Sequence, residues 1–129
     1  NVTNMLGMFG YSNFNGDISN WDVGNVTNMK KMFFYSNFNG DISNWNVINV
    51  ITMENMFSGS KFNGDISNWD VSNVSNMDYI FISSKFKGDI SKWNVYYLNN
   101  INLIFYGTER EFSINPNEYF KVFKGTYYD

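Results

Sequence analysis

The octapeptide FNGDISNW occupies Phe14–Trp21, recurs at Phe38–Trp45 and at Phe62–Trp69, and returns as FKGDISKW at Phe86–Trp93. The step is 24 residues each time, and the rest of the chain keeps it. Val2, Val26, Val50, Val74 and Leu98 are in phase, as are Met5, Met29, Met53, Met77 and Ile101, and Phe9, Phe33, Phe57, Phe81 and Phe105. Four units run without insertion or deletion. A compact single-core fold has no use for such a period. A stack of coils does, because each unit is too small to bury its own apolar side and completes its core only against its neighbours. Equivalent side chains would then pile up along the axis, about 4.8 Å apart where strands pair.

One unit reads in three parts. ISNWDV (Ile18–Val23) alternates, with Ser19, Trp21 and Val23 pointing one way and Asn20 and Asp22 the other. That pattern predicts a short parallel strand, repeated at Ile42–Val47, Ile66–Val71 and Ile90–Val95. NVTNMKKMF (Asn25–Phe33) places Val26, Met29, Met32 and Phe33 on one face of a short helical turn, α or 3₁₀. YSNFNGD (Tyr35–Asp41) is turn chemistry, with Phe38 inward and Asn39-Gly40 expected to supply φ > 0. The fold class expected is an α/β solenoid of leucine-rich-repeat-like coils.

The repeat occupies residues 1–108, about four and a half units. It starts in mid-unit at Asn1, so the chain reads as N-terminally truncated, a processed or excised piece of something longer. After Thr108 the period fails. Residues 109–129 are expected to cap the last coil. Ile114 continues the strand column, Asn115 serves as N-cap, and Pro116 and Glu118 open a helix over 116–124 that Gly125 ends. A linker to another domain is the other reading of this tail.

Composition narrows the function. Aromatics make up 20% of the chain and Ala is absent, so flat rings must fill the interior. Only 16% of residues are charged, the net charge is −3 and Arg110 is the one arginine. That balance argues against nucleic acid, which needs clustered cations. There is no His and no Cys, which removes the triads, thiol nucleophiles and zinc sites built on them. No apolar run approaches the roughly 18 residues of a transmembrane helix, so direct membrane insertion is not expected.

The unit VTNMKKMFFYSNFNGDISNWNV (residues 26–47) resembles the BspA-type leucine-rich repeats, and more narrowly the F-N-x-D-I-S-x-W-D-V-S-N-V-T-N-M repeat of mycoplasma and other bacterial surface lipoproteins. Related arrays occur in some protists and large DNA viruses. The resemblance covers residues 1 to about 108. It implies a cell-surface or secreted binding array, often adhesive, with no known catalysis; no cofactor is expected.

Several columns invite a function. Asp17, Asp41, Asp65 and Asp89 would form a row of carboxylates, readable as a cation site or as caps on the amides of Ser19 and its equivalents. The Trp column reads as core rather than as a sugar platform, since it is in phase with Val23. The columns Asn20, Asn44, Asn68 and Asn25, Asn49, Asn73 could form amide ladders. Asn25-Val26-Thr27 and Asn73-Val74-Ser75 are glycosylation sequons in form.

The outward strand face, Asn20 and Asp22, Asn44 and Asn46, Asn68 and Asp70, Lys92 and Asn94, is the ligand site this reading favours. The helical side is the other. There the units differ, at Leu6-Gly7, Lys30-Lys31, Glu54-Asn55 and Asp78-Tyr79, and Phe34, Tyr35, Tyr96 and Tyr97 could stand exposed. The expected function is a non-catalytic array, secreted or at a cell or virion surface, that binds protein or glycan at a host or neighbouring-cell surface. A structural spacer that self-associates through its uncapped N-terminal coil is the alternative.

Overall fold

Every apolar column of the inner units is buried. In a computed structural model, which describes residues 1–99 and residue 104, Val26, Val50, Val74, Met29, Met53, Met32, Met56, Phe33, Phe57 and Phe81 have no exposed surface. Rings of successive units lie face to face. Phe33, Phe57 and Phe81 stack with centroids 5.6 and 6.0 Å apart, Phe38, Phe62 and Phe86 at 6.3 and 6.2 Å, and Trp45 on Trp69 at 6.5 Å. Each such pair adds about 0.5–1.5 kcal/mol beyond area burial. The 24-residue units therefore sit on one another in register.

The local structure is not the α/β solenoid expected. Among the described residues there is no α-helix, and strand pairing is reduced to single parallel bridges joining Asn4, Asn28, Thr52 and Asn76. These bridges fall inside the stretch read as a helical turn. The stretch read as a strand is a tight turn instead. The Ile18 carbonyl accepts the Trp21 N–H at 3.1 Å, and Ile42, Ile66 and Ile90 do the same for Trp45, Trp69 and Trp93. The turn brings Ile42, Trp45 and Val47 all inward, at spacings of three and two that no strand allows.

The helical turn fails for a different reason. An α-helix keeps its amides within the segment. Over residues 30–35 only alternate amides stay local: Met32 donates to the Met29 carbonyl and Phe34 to that of Lys31, both at 3.2 Å. The others leave for the next unit, Lys31 to Glu54, Phe33 to Met56 and Tyr35 to Ser58, at 3.0, 2.9 and 2.8 Å. Left-handed backbone at Lys31 and Tyr35 (φ 56° and 52°) makes this possible and forbids a right-handed helix. The same ribbon of turns forms at residues 6–11, 54–59 and 78–83.

Gly40 and its equivalents are also corrected. Positive φ among the glycines is confined to Gly7 and Gly59 in the described residues. Gly40 is required by closeness: a β-carbon there would lie 2.7 Å from the Phe38 ring. The expected domain boundary at 108, the strand at Ile114 and the capping helix 116–124 lie outside the described residues.

Candidate functional site

Two outer surfaces carry the polar and aromatic side chains. The first is the corner formed by the octapeptides. Asp41 Oδ1 accepts the backbone N–H of Ser43 at 2.9 Å and its hydroxyl at 2.7 Å, and Asp17 and Asp65 repeat this with Ser19 and Ser67. The serine hydroxyl, and then the serine amide, hold these carboxyls below the usual carboxylate range. The aspartates thus cap turns. Among the described residues, no group of three acidic, His or Cys side chains is placed to hold a metal.

Side-chain amides fasten this corner from unit to unit. Asn15 Oδ1 accepts the Asn39 N–H at 2.8 Å, Asn39 that of Asn63 at 2.7 Å, and Asn63 that of Lys87 at 2.7 Å. Asn49 and Asn73 donate through Nδ2 to the carbonyls of Gly24 and Ile48, at 2.7 and 2.8 Å. Trp45, Trp69 and Trp93 each donate Nε1–H to the isoleucine carbonyl of the preceding octapeptide, at 3.0 Å.

The eight residues favoured as a ligand site, Asn20, Asp22, Asn44, Asn46, Asn68, Asp70, Lys92 and Asn94, are all exposed. They line this corner, not a strand face. Half of them close turns: Asp22, Asn46, Asp70 and Asn94 accept the N–H of Gly24, Ile48, Ser72 and Tyr96. Asp70 also accepts the Ser72 hydroxyl, which lowers its pKa. Asn44 and Asn68 hold no such bond, and Lys92 lies near enough to Asp65 to help keep that carboxylate charged.

The second surface is the turn ribbon, where the units differ. Tyr11 is 77% exposed and Tyr35 52%, and their rings lie parallel, 5.7 Å apart. Phe34 meets both edge-on, at 5.4 and 4.8 Å, and Lys31 Nζ lies 5.2 Å from the centre of the Phe34 ring. Tyr11, Lys31 and Tyr35 hold left-handed backbone at φ 55°, 56° and 52°. Each costs about 1–2 kcal/mol relative to a glycine there, and Gly7 and Gly59 occupy the same two columns at φ 64° and 65°. Tyr96 and Tyr97 are also exposed and meet each other edge-on at 5.1 Å. Tyr11 is absent from the residues singled out in the sequence, although its place 24 residues before Tyr35 was the available signal. Lower on the ribbon, Lys30 pairs with Glu54 at 3.3 Å, and desolvation, then the Glu54 charge, raises the Asp78 pKa.

Among the described residues no helix is long and apolar enough to cross a membrane. Neither the curated proteins nor the solved structures contain a match to the chain. Residues 1–81 match the family described as "Mycoplasma protein of unknown function, DUF285". That match spans more than half of the 129 residues, and the chain belongs to this family.

Proposed function

We propose that the chain is a non-catalytic binding array, secreted or carried on a cell or virion surface, that holds side chains in fixed positions for a protein or glycan of a host or neighbouring cell. It needs no cofactor. One observation carries the reading. The units are joined through backbone amides on the ribbon, with Lys31, Phe33 and Tyr35 all donating to the next unit, over a buried core. Outer side chains on such a stack are spaced by the coils and not by their own flexibility. The likeness of residues 26–47 to the BspA-type repeat points the same way, toward adhesion.

Screening the labelled 129-residue chain on glycan and host-protein arrays, with light scattering in parallel, tests this. A monomer that binds a surface component is the expected result. A chain that binds nothing on either array, and whose mass grows with concentration, would be a self-assembling spacer and would overturn the reading.

A further inference from the structure

The fastenings of the octapeptide corner write a reactive pair into the chain. Asn15, Asn39 and Asn63 are exposed, and each accepts on Oδ1 the backbone N–H of the next octapeptide, at 2.8, 2.7 and 2.7 Å. The residue after each is glycine, since a β-carbon on Gly16, Gly40 or Gly64 would lie 2.7 Å from the ring of Phe14, Phe38 or Phe62. One demand selects an amide side chain and the other selects no side chain, and together they spell Asn-Gly three times. The neighbouring exposed asparagines are followed by bulk: Asn20, Asn44 and Asn68 precede tryptophan. In the fourth copy Lys87 stands before Gly88 and carries no side-chain amide.

We propose that Asn15, Asn39 and Asn63 are sites of self-modification in the folded chain, losing their side-chain amides through a cyclic imide, and that the isoaspartate formed loosens the corner. At Asn39, solvent base takes the Gly40 N–H proton and the nitrogen attacks Asn39 Cγ. The bond from Gly40 N to Cγ forms, the Cγ–Nδ2 bond breaks, and Nδ2 gains a proton and leaves as ammonia. Water then opens the ring. Cleavage at Cγ gives aspartate; cleavage at the main-chain carbonyl gives isoaspartate, whose backbone runs through Cβ and is one carbon longer. Nothing is oxidised or reduced. The structure favours each step. The N–H groups of Gly16, Gly40 and Gly64 make no hydrogen bond among the described residues, so the nucleophile is not tied up. Glycine has no side chain to obstruct the approach, and its backbone freedom lets the nitrogen swing onto Cγ. The N–H from the next unit is bonded to Oδ1, the oxygen on which negative charge develops as Cγ becomes tetrahedral, and acts as one donor of an oxyanion hole does. Either product adds a carboxylate beside the row of Asp17, Asp41 and Asp65. Aspartate keeps an oxygen for the next unit's N–H. Isoaspartate lengthens the main chain where Gly40 lies against Phe38, and puts the corner out of register.

The test is incubation of the folded 129-residue chain in mildly alkaline, heavy-oxygen water, followed by peptide mass mapping and enzymatic methylation of isoaspartate. Conversion at Asn15, Asn39 and Asn63 is expected to run at least about tenfold faster than at Asn20, Asn44 or Asn68. The same chain in urea gives the rate without stacking. Conversion at the three sites that is more than about tenfold slower in the folded chain than in urea overturns the proposal, as does equal labelling of all asparagines. Asn39→Gln places the amide one methylene too far for the favoured ring, and should abolish conversion at that position alone, with Asn15 and Asn63 as internal controls; undiminished labelling there also overturns it. The aged chain is expected to melt at a lower temperature than the fresh one. Asn39→Asp carries the new charge without the longer backbone and should melt close to the parent. An aged, isoaspartate-bearing chain that melts as the fresh one does would refute the loosening of the corner.

Discussion

The ribbon and the octapeptide corner solve the same problem, fastening one coil to the next, with different atoms. On the ribbon, main-chain amides cross between units, as from Phe33 to Met56 at 2.9 Å. At the corner, side chains cross, as when Asn39 accepts from Asn63 or Trp69 donates to Ile42. The backbone is common to all residues, so the ribbon tolerates Leu6, Lys30, Glu54 and Asp78 in one column. A bond made by a side chain fixes that side chain. In the octapeptide Phe38 stacks, Asn39 accepts, Gly40 makes room for the Phe38 ring, Asp41 and Ser43 lock a turn, Ile42 offers its carbonyl, and Trp45 donates. Asn44 alone has no such task, and its column is one of the two that change in the fourth copy, to Lys92. The other is Asn39's, where Lys87 still donates its backbone N–H but supplies no Oδ1.

This contrast is broken most directly at tryptophan. Trp69→Ala removes a 96% buried ring and an inter-unit bond, and should cost roughly 3–5 kcal/mol in urea denaturation. Trp21, 39% exposed, has the same sequence neighbours but no preceding described coil, and Trp21→Ala should lose clearly less. Equal losses would mean that the stacked neighbour contributes nothing. Next comes Gly40→Ala. With the Phe38 ring 2.7 Å from the new methyl, overpacking should cost about 1–3 kcal/mol. Gly7→Ala, on the ribbon, meets no atom within 4 Å but holds φ 64°, so its smaller loss should come from the backbone alone.

Much of this was legible in the amino-acid order. The period set which residues stack, and Val26, Met29, Met32 and Phe33 are buried as their spacing required. Apolar spacing reports which way side chains face; it does not report where each amide bonds. A face made of Val26, Met29, Met32 and Phe33 suits an α-helical turn and the observed ribbon alike, and only the crossing bonds of Lys31, Phe33 and Tyr35 distinguish them. The apparent strand failed similarly: alternation of Trp45 and Val47 hid Ile42, which is equally buried. Of the candidate site, the eight polar corner residues are exposed as expected, but the turn-closing role of Asp22 or Asn46 follows from a bond two residues along that alternation obscured. The Tyr11 cluster depends on left-handed backbone at non-glycine residues, for which Tyr and Lys carry no sequence signal.

The ribbon can also be improved, where the corner cannot. Ser83 is exposed at φ 57° in the column that Gly59 occupies at φ 65°. Ser83→Gly should stabilise by about 0.5–1 kcal/mol, the relief of left-handed strain less the added freedom of the unfolded chain. A loss on melting would show that the strain is absorbed by contacts of the serine.

The smallest effect is in acid, and there the two surfaces should respond with opposite sign. Asp17, Asp41 and Asp65 have lowered pKa values because serine hydroxyls and amides bind the ionised form. Their contribution is complete above the ordinary carboxylate range and is lost as pH falls through and below it. Asp78 has a raised pKa, from desolvation and then Glu54, so its ionised form is disfavoured in the fold and protonation relieves a cost that grows as pH rises. Asp41→Asn should therefore flatten the acid limb of a stability profile, while Asp78→Asn should add stability near neutral pH and steepen that limb. The exposed corner carboxylates are screened by solvent, so each change will be small. Their signs are the measurement: a profile in which both variants shift the same way would mean that the two surfaces do not handle charge differently.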